Sequence, residues 1–221
     1  MTPEEILQGL YDETLVGNAP TVLDLTHQAL DQGMEPQSLL FDALIPSLEE
    51  VGARFERGDF FVPEMLIAGR AMAGAMEVLR PLLAETGVET IGKFVMGTVK
   101  GDVHDIGKNL VNIMLEGAGF EVIDLGVQVS PEKFIEAITT HKPDIVGFSA
   151  FLTTTMPMFK ANMNALEKAG LRESVVVMVG GAPVTQEYAD AVGADGYAAD
   201  ASATVKKAKE LIHRRRALTP A

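Results

Sequence analysis

The chain has 221 residues, enough for two modest domains or one large one, and its 47% hydrophobic and 22% charged residues are the make-up of an ordinary globular protein. It contains no cysteine, which excludes disulfides, thiolate metal sites and cysteine nucleophiles and fits a reducing compartment. A formal net charge of -13 argues against nucleic acid as a partner. No apolar run approaches the roughly 20 residues of a membrane span, and the start MTPEEILQGL carries acids where a secretory signal has bases, so a cytoplasmic location without membrane attachment is expected.

Charge is spread unevenly. Residues 1–89 carry 16 acidic against 4 basic residues, whereas 90–221 carry 15 against 14. Between these halves the short polar stretch Ala84–Thr90 reads as a linker, giving expected domains over 1–88 and 89–221.

The first half is helical by pattern. Segments from Pro3 to Val16, Pro20 to Gln32, Pro36 to Arg57 and Pro63 to Leu83 each begin at or near a proline, which suits a first helical turn because its missing N–H has no intrahelical partner there. In the third, Leu40, Leu44, Leu48 and Val51 form one apolar stripe. Four such helices make a small bundle. The fourth is rich in Ala, Gly and Met, which permits close approach on one side and offers adaptable side chains.

The second half alternates strand and helix. Strands are predicted at Gly92–Val99, Glu121–Leu125, Asp144–Ser149, Ser174–Val179 and Asp195–Ala198, and helices at Ile106–Gly117, Pro131–Thr140, Pro157–Ala169, Thr185–Val192 and Ser202–Arg214. Continuous Val/Ile runs are what strands covered on both faces look like. The expectation is an α/β domain, a doubly wound, flavodoxin-like sheet of five parallel strands in the order 2-1-3-4-5, preceded by a four-helix bundle. In such a sheet ligands bind beyond the carboxyl ends of the strands where the order reverses, here between the first and third strands. Three loops leave those ends: Gly101-Asp102-Val103-His104, Ser149 to Thr155, and Gly180-Gly181-Ala182-Pro183.

Several chemistries fail on their own requirements. The first loop has neither the G-x-G-x-x-G nor the G-x-x-x-x-G-K-[ST] pattern that phosphate cradles need. Ser149 sits in GFSAF, which lacks the second glycine of a nucleophile elbow. A zinc site needs more nitrogen or sulfur ligands than one central histidine supplies, and His27, His141 and His213 lie in segments that do not converge on it. A lone histidine binds a metal strongly when most of the coordination sphere arrives with a cofactor.

Asp102-x-His104-x-x-Gly107, followed by Ser149, Phe151 and Thr153 in a Ser-x-hydrophobic-x-Thr stretch and by Gly180-Gly181, strongly resembles the cobalamin-binding module of methionine synthase and of the corrinoid proteins of methyl-transfer systems. GDFFVPEMLIAGRAMAGAMEVLRPLL is similar to the end of the helical cap that precedes that module, so the resemblance runs from about Pro3 to Leu211. One departure is visible: the family often has Leu where this chain has Phe151.

The resemblance implies a cobalamin cofactor, as methylcobalamin or cob(I)alamin, bound with its own base pulled away. It implies His104 as the cobalt ligand, Asp102 as the acceptor holding the other ring nitrogen, and a hydroxyl at Thr155, or else Ser149, extending the pair into a proton relay. An Asp–His pair able to gain or lose a proton biases cobalt between its two methyl-transfer states. Cofactor contacts are implied at Asp102, Val103, His104, Asp105, Ile106, Gly107, Ser149, Phe151, Leu152, Thr153, Gly180, Gly181 and Ala182. Cap residues implied over the upper face are Phe60, Phe61, Val62 and Met65. The implied function is a methyl carrier between a substrate-specific methyltransferase and a second methyltransferase serving tetrahydrofolate or a thiol, with a reductive activase as a further partner. A cobalamin-dependent sensor and a mutase subunit are the alternatives; a sensor needs a DNA-binding segment and a mutase a large barrel, and neither is recognisable here. The basic run His213–Arg216 is explained by a solvated helix end.

Overall fold

The computed structural model describes residues 1–86 and 90–218. It divides into two compact units, Met1–Glu89 with Glu116–Gly119, and Thr90–Leu115 with Phe120–Ala221. The linker expected over Ala84–Thr90 lies partly outside the described residues, and helix continues through Pro81 as far as Thr86.

The first unit is built from α1 (Pro3–Leu15), α2 (Ala19–Asp31), the short α3 (Pro36–Ser38), α4 (Ile45–Arg57) and α5 (Val62–Thr86). Thr2 starts α1 with a capping box, its hydroxyl accepting from the Glu5 N–H while the Glu5 carboxylate accepts from the Thr2 N–H. Gly58 ends α4 in the left-handed conformation. The helix expected as one piece from Pro36 to Arg57 instead contains a π-helical stretch, Leu39–Leu44. Pro46 explains it: the proline has no N–H to give to the carbonyl four residues back, and its ring would clash there, so the backbone widens by one register step just upstream. On α5, Ala68, Ala71 and Ala75 are fully buried and let α2 pack closely, while Met65, Met72 and Leu79 fill the core with Ile6, Leu10 and Leu44.

The second unit is a five-stranded parallel sheet in the order β2-β1-β3-β4-β5, with β1 at Lys93–Thr98, β2 at Glu121–Asp124, β3 at Ile145–Ser149, β4 at Val176–Gly180 and β5 at Gly196–Tyr197. The intervening helices are α6 (Ile106–Gly117), α7 (Pro131–His141), α8 (Pro157–Lys168), α9 (Gln186–Val192) and α10 (Ala201–Leu218). Ser174, expected at the start of a strand, ends a single 3-10 turn, Arg172–Ser174, and β4 begins two residues later.

Val95, Val146, Phe148, Val177 and Val179 pack with Phe134 and Ile138 of α7, Phe159, Met163 and Leu166 of α8, and Ala189 of α9 in one apolar layer. The side chains alternate, so the opposite face is covered separately; there Gly196 of β5 lies against Leu211 of α10. Fully buried parallel strands explain why these segments read as unbroken apolar runs. No described helix is long and apolar enough to cross a membrane.

Candidate functional site

The sheet order reverses at β1, and the loops that leave β1 and β3 meet there. Register sets their spacing: Thr98 of β1 is opposite Ser149 of β3, and the Val99 N–H donates to the Ser149 carbonyl at 3.0 Å. Beyond these residues the β1 loop turns at Lys100-Gly101, the Asp102 N–H returning to the Val99 carbonyl at 3.1 Å, with Gly101 at φ +86, where a side chain is disfavoured.

Asp102 is fully buried, and its carboxylate accepts five hydrogen bonds. One oxygen, Oδ1, accepts from the His104 backbone N–H at 3.0 Å and from His104 Nδ1 at 2.7 Å. The other, Oδ2, accepts from the N–H groups of Phe151 at 2.8 Å and Leu152 at 3.2 Å and from the Thr155 hydroxyl at 2.7 Å. Thr155 Oγ1 also lies 2.8 Å from the Leu152 carbonyl, and its single proton serves one of the two acceptors at a time.

Burial is the largest single influence on the Asp102 carboxyl and pushes its pKa up. The hydrogen bonds from Thr155, His104 and Phe151 outweigh it together and hold the group well below the usual carboxylate range. An ionised carboxylate only accepts, so Nδ1 of His104 carries the proton, and in the neutral ring Nε2 keeps its lone pair.

The histidine backbone is pinned as well as its ring. Its carbonyl accepts from the Thr98 hydroxyl at 3.1 Å, and Thr98 is fully buried. The Gln128 N–H, in a residue with φ 55, donates to the Asp102 carbonyl at 3.1 Å. Neither residue is evident from sequence. The signals are a hydroxyl closing an apolar strand and a left-handed position filled by a non-glycine after β2.

The expected loop residues come together around this carboxylate. The His104 side chain is 44% exposed, and no partner is described for Nε2. Val103, Ile106, Phe151 and Leu152 are apolar and exposed in the same two loops, with the Phe151 ring stacked on the His104 imidazole, centroids 4.5 Å apart. A Cβ on Gly107 would meet nothing within 4 Å. Asp105 accepts the Asn109 N–H through its carbonyl and so starts α6. Lys108, also buried, binds the Asp124 and Asn109 side chains and ties α6 to the end of β2.

Other residues take different places. Ser149 is half-buried at the end of β3, and the hydroxyl on Asp102 is that of Thr155. Thr153 and Ala182 are exposed. Gly181 is fixed by packing: at φ +127, a Cβ there would lie 1.9 Å from the Ala150 carbonyl oxygen, so only glycine lets the β4 loop pass the β3 loop. In the first unit Phe61 is exposed, its N–H capped by Glu64, while Met65 is fully buried among the helices, Val62 is half-buried and Phe60 lies under the Arg54 guanidinium at 5.2 Å. Among the described residues there is no cluster of three His, Cys, Asp or Glu that could hold a metal ion alone.

An oriented imidazole nitrogen amid exposed apolar side chains, beside a glycine with open space, fits a flat ligand that brings its own metal. The fold is that of a cobalamin-binding protein. The B12 binding domain family matches residues 92–206, and a second B12 binding domain family matches residues 6–80. A dimethylamine corrinoid protein of Methanosarcina barkeri is 44% identical over 213 residues, 96% of this chain and 100% of that protein. Among solved structures, a chain of the methanol:cobalamin methyltransferase complex of Methanosarcina barkeri matches with a TM-score of 0.83 and 29% identity, over 95% of this chain and 80% of that one. The monomethylamine corrinoid protein of the same organism matches with a TM-score of 0.54 and 35% identity, over 95% of this chain and all of that one. The chain belongs to the cobalamin-binding corrinoid proteins of methyltransferase systems, as a methyl carrier.

Proposed function

We propose that this chain carries a methyl group from a methyltransferase specific for a methylated amine to a second methyltransferase serving a thiol or tetrahydrofolate, and that a reductive activase restores it after accidental oxidation. Cobalamin is held with its own base displaced, and His104 Nε2 is the lower cobalt ligand. The observation that carries this reading is the buried, ionised Asp102 accepting the Nδ1 proton of His104 at 2.7 Å, which leaves Nε2 as a lone-pair donor at the exposed apolar surface.

Bound cobalamin supplies a cobalt centre that accepts and releases the methyl group. The chain's own residues orient and tune the ligand to it. Asp102 fixes the tautomer and raises the basicity of the imidazole, Thr155 and the Phe151 and Leu152 N–H groups hold the carboxylate charged, and Thr98 holds the histidine backbone. A proton gained or lost within this chain of hydrogen bonds changes how strongly Nε2 donates. Val103, Ile106, Phe151 and Leu152 offer apolar surface to the corrin, and Gly107 leaves room for its edge.

The methylated-amine donor is supported by the relatives named for dimethylamine and monomethylamine. The test has two parts. Purified protein reconstituted with methylcobalamin is compared by absorption with His104→Ala; His ligation predicts different spectra, and identical spectra would refute the ligand. Reduced protein is then offered mono-, di- and trimethylamine and methanol with the methyltransferase for each; methylation only from methanol would overturn the donor class.

A further inference from the structure

Phe151 touches the Asp102–His104 pair in two separate ways. Its backbone N–H donates to Asp102 Oδ2 at 2.8 Å, and its ring stacks on the imidazole that Asp102 holds through the other oxygen, with centroids 4.5 Å apart and planes 27° apart. The Cβ–Cγ bond and the hydrogen bond from Nδ1 to Asp102 hold two points of the imidazole and leave a tilt of the ring plane as the freedom still to be removed. A flat face beside it removes this remaining freedom, which a branched aliphatic side chain cannot do. Phe151 is 52% exposed, so filling the core does not explain its ring.

We infer that Phe151 is a positioning residue: its ring sets the plane of the His104 imidazole before cofactor arrives, so that Nε2 is presented in a fixed direction. This rests on His104 being the lower ligand. A preorganised ligand loses less freedom on binding metal, and the expected gain is that of one aromatic pair, roughly two- to tenfold in the equilibrium constant for His ligation.

The backbone bond makes the test clean, because Phe151→Leu keeps the N–H on Asp102 and removes only the flat face. In the cofactor-free protein, the His104 ring protons should lie upfield under the phenyl ring current; Phe151→Leu should lose that shift and Phe151→Tyr keep it. Cobinamide, a corrinoid without a nucleotide base, is then titrated into each protein and followed by absorption. Phe151→Leu should show an equilibrium constant for His ligation lower by roughly two- to tenfold, restored in Phe151→Tyr. Unchanged ring shifts in Phe151→Leu would overturn the inference, as would changed shifts with the same His-ligated fraction. Failure of the underlying ligand assignment looks different: His104→Ala would then bind cobinamide with an unaltered spectrum while the ring-current shifts in the cofactor-free protein still respond to Phe151.

Discussion

Replacing Asp102 by asparagine changes one atom pair and should switch off the ligand role proposed for His104 by reversing its tautomer. The amide has one oxygen and one NH2 to fill the two carboxylate positions. The Oδ2 position faces three donors, the Phe151 and Leu152 N–H groups and the Thr155 hydroxyl, and can only take the amide oxygen. The NH2 is therefore placed where Oδ1 was, against the His104 N–H at 3.0 Å and Nδ1 at 2.7 Å. The backbone N–H loses its acceptor, at about 1–3 kcal/mol. The ring answers by accepting at Nδ1, which sends its proton to Nε2 and removes the lone pair that metal needs. Restoring the original tautomer would put two donors face to face and forfeit a bond to a charged group worth about 1.5–3 kcal/mol, so His ligation should weaken roughly 10- to 100-fold. Nitrogen-15 chemical shifts of the cofactor-free protein report the tautomer, and cobinamide titration followed by absorption reports ligation. If Asp102→Asn kept both the Nδ1–H tautomer and the wild-type His-ligated fraction, the role assigned to the carboxylate would be wrong.

Acid should reveal the same carboxylate in stability. Its folded pKa is depressed, so the stabilisation is present above the ordinary carboxylate value near 4 and is lost as pH falls through that value toward the folded one; urea unfolding at pH 7 and pH 3 should show the gap between wild type and Asp102→Asn closing at the lower pH. Thr155→Val removes one hydroxyl from that carboxylate and should cost about 1–3 kcal/mol at pH 7, with part of the loss disappearing on acidification in the same assay. Gly181→Ala adds a strained φ to a clash with the Ala150 carbonyl and should cost roughly 2–6 kcal/mol, read as a fall in Tm or failure to accumulate folded protein. Lys108→Met should lose only about 1–2 kcal/mol, because the Asp124 left behind is 38% exposed and water takes up its charge, and the His104 tautomer should not change.

The amino-acid sequence alone determined whatever depends on local periodicity and on residues close together in the chain. Unbroken apolar runs separated by amphipathic helices are enough to specify covered parallel strands, because both faces of each strand must be buried, and the 2-1-3-4-5 order agrees. Asp102 and His104 are two residues apart, so their partnership is visible as spacing. Which hydroxyl completes the pair was decided by the tertiary structure. Ser149 ends β3 and Thr155 follows it, and the register of Thr98 on Ser149 with the turn from Leu152 to Thr155 carries the later hydroxyl to Asp102, 53 residues away. The Phe151, Leu152 and Thr155 donors on the buried carboxylate, the Gln128 backbone bond and the phenyl ring over the imidazole likewise bring together atoms distant in sequence. Fully buried Met65 and the π-helical stretch before Pro46 belong with these, since side-chain burial and the choice between neighbouring hydrogen-bond registers depend on what packs against a helix as well as on its own period.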